Sequence, residues 1–134
     1  MNQGKDLVDL SRAEYGILRI LWKGGAMTVR ETHDRLKKTS GWAYTTTKTM
    51  MDRMVSKGLL NRRTFHGVYL YEPLITRPRG MAKMVQFFAE RVLETDVSAV
   101  VTMFAQSQTL TPAEIDELSR LLKTSSEVED KDDS

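Results

Sequence analysis

WAYTTTKTMMDRMVSKG, Trp42 to Gly58, is the stretch on which the fold of the whole chain turns. At helical periodicity Thr47, Met50, Met51 and Met54 fall on one stripe. Thr45, Thr49, Asp52, Arg53 and Ser56 fall on the other, with Thr46 and Lys48 at its margins. A helix facing only water would carry many carboxylates and lysines on its outer side. Hydroxyls with one Lys, one Arg and one Asp suit a polar groove instead. The stretch is expected to be a recognition helix, closed at its end by Gly58.

The flanking residues supply a frame for such a helix. Upstream, Ser11-Arg12-Ala13-Glu14 has the capping-box pattern, and Tyr15, Ile17, Leu18, Leu21 and Trp22 form an apolar stripe that stops at Gly24-Gly25. Thr28-Val29-Arg30-Glu31 is a second capping box, opening a helix that carries Val29, His33 and Leu36. It ends in Lys37-Lys38, where cations suit the negative end of the helix dipole. Thr39-Ser40-Gly41 breaks the chain before the opening stretch. Two short helices joined by a glycine-containing turn fit a helix-turn-helix. Downstream, Leu60 to Phe65 and Val68 to Glu72 are β-prone runs separated by His66-Gly67, a connection suited to a tight hairpin. Val68 and Leu70 alternate with Tyr69 and Tyr71, so one face can pack on the helices, and Pro73 ends the strand. A hairpin behind a recognition helix is a wing, and Arg62-Arg63 sit where it could approach phosphate.

From Thr76 the pattern changes. Thr76 can cap a helix with Pro78 in its tolerant first turn, and Met81, Met84, Val85, Phe88 and Val92 recur through about Glu94. Asp96 can cap a further helix carrying Val97, Val100, Val101 and Phe104. Thr111-Pro112-Ala113-Glu114 is a third capping box, followed by Ile115, Leu118, Leu121 and Leu122. Three such helices enclose little core alone, so their stripes call for a partner, most simply a second copy. The residues assigned to that contact are Met84, Val85, Phe88, Val92, Val100, Val101, Phe104, Ile115, Leu118 and Leu122. Residues 1–10 read as a short, loosely held arm, and the acidic residues 124–134 as a disordered tail. The expected architecture is mainly α with a small β-hairpin. It comprises a winged helix-turn-helix domain over 1–75, a helical dimerisation region over 76–123, and the tail.

Charge follows the same division. The chain of 134 residues has a net charge of only +2. Residues 28–80 hold eleven Lys/Arg against four Asp/Glu, a net of +7, whereas 81–134 hold five against eleven, a net of −6. A basic middle and an acidic end point to a polyanion that meets only the first part. The plainer alternative is two halves that salt-bridge each other. With no cysteine there is neither a disulfide framework nor a thiolate metal site. No apolar run is long enough to span a bilayer, and the opening MNQGKDLVDLSR lacks a continuous apolar segment. Neither membrane insertion nor secretion is expected, and a cytoplasmic location is.

Enzymatic chemistry finds little footing. The two histidines, His33 and His66, stand in different elements with no carboxylate arranged around either, and read as a half-buried helix residue and a turn residue. Gly24-Gly25 lacks the pattern of a phosphate loop, and the acids at 114, 116 and 117 suit a helix start. The eight methionines, at helical spacing beside Leu and Val, read as flexible packing rather than copper ligands. No metal and no cofactor is expected. Nucleic-acid binding has the residues it needs. Lys48, Arg53, Lys57, Arg62 and Arg63 can neutralise phosphates, and Thr45, Thr46 and Thr49 can position on the backbone or touch base edges. An Arg can read guanine bidentately, and a Thr methyl can pack on thymine. Asp52 is awkward near phosphates, and can hold Arg53 or Lys48 in place or accept from cytosine.

With these residues in view the sequence resembles the penicillinase-repressor family, the BlaI/MecI type with its copper-responsive CopY relatives. The likeness spans roughly Leu10 to Leu122 and rests on LSRAEYGILRILWKGGAMTVRETHDRL, WAYTTTKTMMDRMVSKGLL and GVYLYEPLI. It implies a homodimeric winged-helix repressor whose third helix and wing contact an operator. It also implies release by a signal-activated protease that cuts in the dimerisation region. The equivalent bond here is Met103–Phe104, where Phe104 matches the common Asn-Phe pattern and Met103 does not. The cysteine cluster of the copper-responsive branch is absent, and Val68 stands where many members have Arg. The expectation is a transcriptional repressor on a pseudo-palindromic operator, controlling β-lactam-resistance or stress genes. The reading from another class is a winged helix that docks a protein partner and does not read DNA.

Overall fold

The computed structural model describes residues 7–133, with side chains as far as Lys123. Six α-helices and one hairpin follow in order. They are α1 Arg12–Gly24, α2 Val29–Leu36, α3 Tyr44–Ser56, β1 Leu60–Phe65, β2 Val68–Pro73, α4 Arg77–Phe87, α5 Val97–Ser107 and α6 Pro112–Asp133, with a π-helical turn at Phe88–Val92 between α4 and α5. Backbone contacts divide the chain into Leu10–Thr76 and a second unit from Arg77 onward that includes residues 7–9.

Leu10–Thr76 is a winged helix-turn-helix, the expected class of fold. Both capping boxes form: Ser11 with Glu14 opens α1, and Thr28 with Glu31 opens α2. Ile17, Leu18 and Leu21 of α1, Val29 and Leu36 of α2, and Met51 and Met54 of α3 are all buried where the three helices pack together. Removing apolar side chains of this size from water contributes about 1.5–3 kcal/mol each. Gly25 and Gly58 leave their helices at φ 83° and 81°, where a residue with a Cβ is strained. The hairpin pairs Leu60 with Pro73 through Phe65 with Val68. His66 and Gly67 at its tip both have positive φ, as a primed two-residue turn demands.

The wing is anchored at its base only. Tyr71 is 1% exposed, and its backbone exchanges hydrogen bonds with Met27 at 2.9 and 3.1 Å, adding a short third rung to the hairpin. Tyr71 is the side chain of β2 that packs inward, while Val68 and Tyr69 of that strand and Phe65 of β1 are half exposed. Leu74 N–H returns to Leu59 O at 2.9 Å, and the Trp22 indole donates to Ile75 O at 3.0 Å. These bonds fix where the chain leaves the wing.

In the second unit α6 packs on α4 and α5. Arg77 grips Glu114 bidentately at 2.7 and 3.1 Å, while Glu114 also completes the Thr111 capping box. Burial within the chain divides the residues expected to meet a second copy. α4 turns Gly80, Met81, Ala82 and Val85 inward, followed by Ala89, and leaves Met84, Phe88 and Val92 exposed. The π-helical turn, closed by Leu93 N–H to Phe88 O at 2.9 Å, then changes the phase of the stripe. Val85, Val100, Val101, Leu118 and Leu122 are already buried within the chain, and Phe104 and Ile115 partly so. These three helices therefore enclose more core than their stripes led one to expect.

Of the expected arm, residues 1–6 lie outside the described residues, and Asp9 of the remainder meets Lys83 Nζ at 3.6 Å. The acidic tail, expected without regular structure, continues α6 as far as Asp133, since a nucleated helix gains one hydrogen bond for each residue it adds. Its side chains and Ser134 lie outside the described residues.

Candidate nucleic-acid interface

α3 starts at Tyr44, two residues later than its sequence stretch, after Ala43 in extended conformation. No side chain caps it, although the Thr46 and Thr47 amides already reach Ala43 O at 3.1 and 3.2 Å, so the positive end of the helix dipole faces outward without a side-chain acceptor. Thr47, Met51 and Met54 point into the core. Thr47 Oγ1 lies 2.9 Å from Nδ1 of buried His33, which ties α3 to α2 and gives that histidine a structural place. Thr45, Thr46, Lys48, Thr49 and Arg53 are all exposed on the opposite side. The helix therefore presents the hydroxyl and cation face read from its periodicity.

The cations differ in what they already hold. Lys48 Nζ lies 2.7 Å from Asp52, and Arg62 Nη1 lies 3.1 Å from the same carboxylate. Arg63 is 3.5 Å from Glu72 and Lys57 is 2.5 Å from Glu14. Arg53 has no carboxylate partner among the described residues. Surface pairs of this kind contribute only about 0–1 kcal/mol, so a phosphate can displace a carboxylate at small cost. Lys57 is the exception. Its partner Glu14 is 3% exposed, and withdrawing the ammonium would leave a buried charge alone. Of the residues assigned to phosphate, Lys57 is the one committed to the fold.

Asp52 bonds Lys48 as expected and does not bond Arg53. It also accepts from the Tyr71 hydroxyl at 2.7 Å, a contact between α3 and the wing that the sequence did not announce. Burial pushes the Asp52 carboxyl up. The hydrogen bonds from Lys48 and Tyr71, with the charges of Lys48 and Arg62, outweigh it and hold the group below its ordinary value. Burial and the Asp52 carboxylate push the Tyr71 phenol up to about 12, so it stays a donor. Glu72 is held low chiefly by the Asn61 amide at 2.9 Å, and then by Arg63.

Arg30 shows in the sequence only as part of a capping box, yet its guanidinium lies 4.2 Å over the ring of Tyr44, the first residue of α3. Tyr44 in turn meets His33 edge to face at 5.8 Å. Fourteen positions separate Arg30 from Tyr44, and no periodicity within one helix links them. Among the described residues no group of three His, Cys, Asp or Glu could hold a metal ion, and no helix is long and apolar enough to cross a membrane.

A helix-turn-helix followed at once by a hairpin wing defines the chain as a winged-helix protein. The family model described as Penicillinase repressor matches residues 10–124, and the chain belongs to that family. It is 29% identical over 119 residues to the Penicillinase repressor of Bacillus licheniformis, covering 89% of this chain and 93% of that one. It is 22% identical over 114 residues to the Methicillin resistance regulatory protein MecI of Staphylococcus aureus (strain N315), covering 85% and 93%. Among solved structures it is similar to the Bacillus licheniformis BlaI monomeric form in complex with the blaP half-operator. Identity there is 31% and the TM-score 0.49, covering 55% of this chain and 90% of that one.

Proposed function

We propose that the chain is a transcriptional repressor that binds a pseudo-palindromic operator as a homodimer, with α3 in the major groove and the wing against the flanking phosphates. The observation that carries this reading is the exposed face of α3, Thr45, Thr46, Lys48, Thr49 and Arg53, standing uncapped beside a basic wing in a penicillinase repressor family member. Arg53 is the base reader or the strongest phosphate contact. Once α3 is seated in the groove, Lys48, Arg62 and Arg63 exchange carboxylates for phosphates, and the hydroxyls fix register. Binding of a polyanion fits the net +7 of residues 28–80. A protein that works on the chromosome works in the cytoplasm.

The second copy docks on the exposed apolar side of the unit from Arg77 onward, where Met84, Phe88 and Val92 stand beside Phe87 and Leu93. Two half-site contacts joined rigidly bind far more tightly than either alone. Release comes from loss of the dimer. Cleavage at Met103–Phe104 by a signal-activated protease is one route, and it requires α5 to open, since both residues lie inside that helix. The genes controlled would be those of β-lactam resistance or stress.

Selection of bound sequences from random duplex DNA, repeated at two salt concentrations, tests the reading. The expected outcome is a two-fold related pair of half-sites about one helical turn or a multiple apart. Absence of binding at low salt would leave a protein-docking winged helix in its place.

A further inference from the structure

Asp52 is the only acid in α3, and it faces outward among the groups assigned to DNA. A carboxylate there repels phosphate and lowers affinity for every duplex, so its presence calls for a compensating role. Its three partners supply one. Lys48 comes from the preceding turn of α3, Arg62 from β1 and Tyr71 from β2. Tyr71 is the buried residue whose backbone is bonded both ways to Met27, so its hydroxyl reaches Asp52 from the fixed base of the wing. Arg62 is further confined by the ring of Tyr69, 4.6 Å from its guanidinium carbon. One side chain of the recognition helix thereby holds both strands of the wing.

We propose that Asp52 is the positioning and specificity-determining residue of the interface, fixing the wing against α3 and withholding Lys48 and Arg62 from non-cognate DNA. A wing held at one angle meets phosphate only when α3 is seated in the groove. A loose wing meets phosphate from many poses, and all of them are blind to sequence. Two unpaired cations would strengthen those same contacts, because counterion release does not depend on base identity. The carboxylate thus lowers binding to all DNA, and lowers it more where the groove does not fit.

The inference rests on the DNA-binding reading, and its test separates the two. Full-length wild type, Asp52→Asn, Tyr71→Phe and Asp34→Asn are titrated by fluorescence anisotropy. The probes are a duplex recovered by selection and a scrambled duplex of the same length and composition. Among the described residues Asp34 pairs with Lys37, the residue that caps the end of α2, at 3.7 Å, so Asp34→Asn makes the same change of charge without touching the wing. Asp52→Asn is expected to tighten scrambled binding and to lower the ratio of selected to scrambled affinity about tenfold, a loss of the size of one mismatched base pair. Tyr71→Phe lowers the ratio with no change of charge, and Asp34→Asn tightens both duplexes alike and keeps it. A variant that is merely less stable loses affinity for both duplexes by one factor and leaves the ratio unmoved. A full ratio in Asp52→Asn, or an equal fall in Asp34→Asn, overturns the inference. A wild type that binds both duplexes equally overturns the reading of a sequence-specific repressor, and this inference with it.

Discussion

Replacing Arg53 by Ala separates the energetics of the interface from those of the fold. Arg53 is exposed and has no carboxylate partner among the described residues, so the change should alter folding stability by no more than about 0.5 kcal/mol. What it removes is a cation that needs no prior bond broken before it meets DNA. A bidentate contact to guanine contributes about 1–3 kcal/mol, or roughly 5- to 150-fold in affinity. Lys48 must first leave Asp52, so Lys48→Ala should cost less, by up to about 1 kcal/mol. The assay is anisotropy on the selected duplex and on its single-position variants at two salt concentrations, beside thermal unfolding. A loss concentrated at one position assigns Arg53 to a base. A uniform loss, with the salt slope shallower by about 0.9, assigns it to a phosphate. Two results refute the reasoning: a loss below about twofold, or a larger loss in Lys48→Ala than in Arg53→Ala.

Two further expectations follow from the same structure. Met84→Ser with Phe88→Ser should shift sedimentation toward monomer while leaving helicity intact, because both side chains are exposed within the chain, whereas unchanged association would remove this surface from the dimer contact. The Glu14 carboxyl is pushed up by burial, but the Lys57 ammonium and the bonds from Ser11 outweigh that and hold it below the ordinary carboxylate value. Its contribution to stability is therefore fully present above the unfolded value and is lost as pH falls through the lower folded one. Glu14→Gln should destabilise by about 1–3 kcal/mol at neutral pH, the scale of hydrogen bonds to a charged group. The gap to wild type should close in strong acid, as read by thermal unfolding across pH, and a gap independent of pH would contradict the assignment.

Much of the site was legible because it is local. Thr45 to Arg53 lie within three turns of one helix, and periodicity alone sorts them into inner and outer faces. The same holds for the capping boxes, whose partners are three residues apart, and for the His66-Gly67 turn. Contacts across elements were not legible. Tyr71 is nineteen positions from Asp52, and Lys57 forty-three from Glu14. Glu14 was read as a capping residue, and that reading holds, yet its second oxygen faces a cation that no spacing rule could supply. The single stripe of Met81, Met84, Val85, Phe88 and Val92 divides in the structure, with Met81 and Val85 inward and Met84, Phe88 and Val92 outward.

By itself the sequence determined where the capped helices begin, that a hairpin follows the third helix, and that one face of that helix is polar. Capping, turn chemistry and hydrophobic period act within a few residues, so they are written in order along the chain. Only the tertiary structure decided which cations are already neutralised, that the wing is tied to α3 through Asp52, and which apolar side chains remain uncovered. Those outcomes depend on the distances between side chains remote in sequence, and such distances exist only once the core of Ile17, Leu18, Leu21, Met51 and Met54 has brought the elements together.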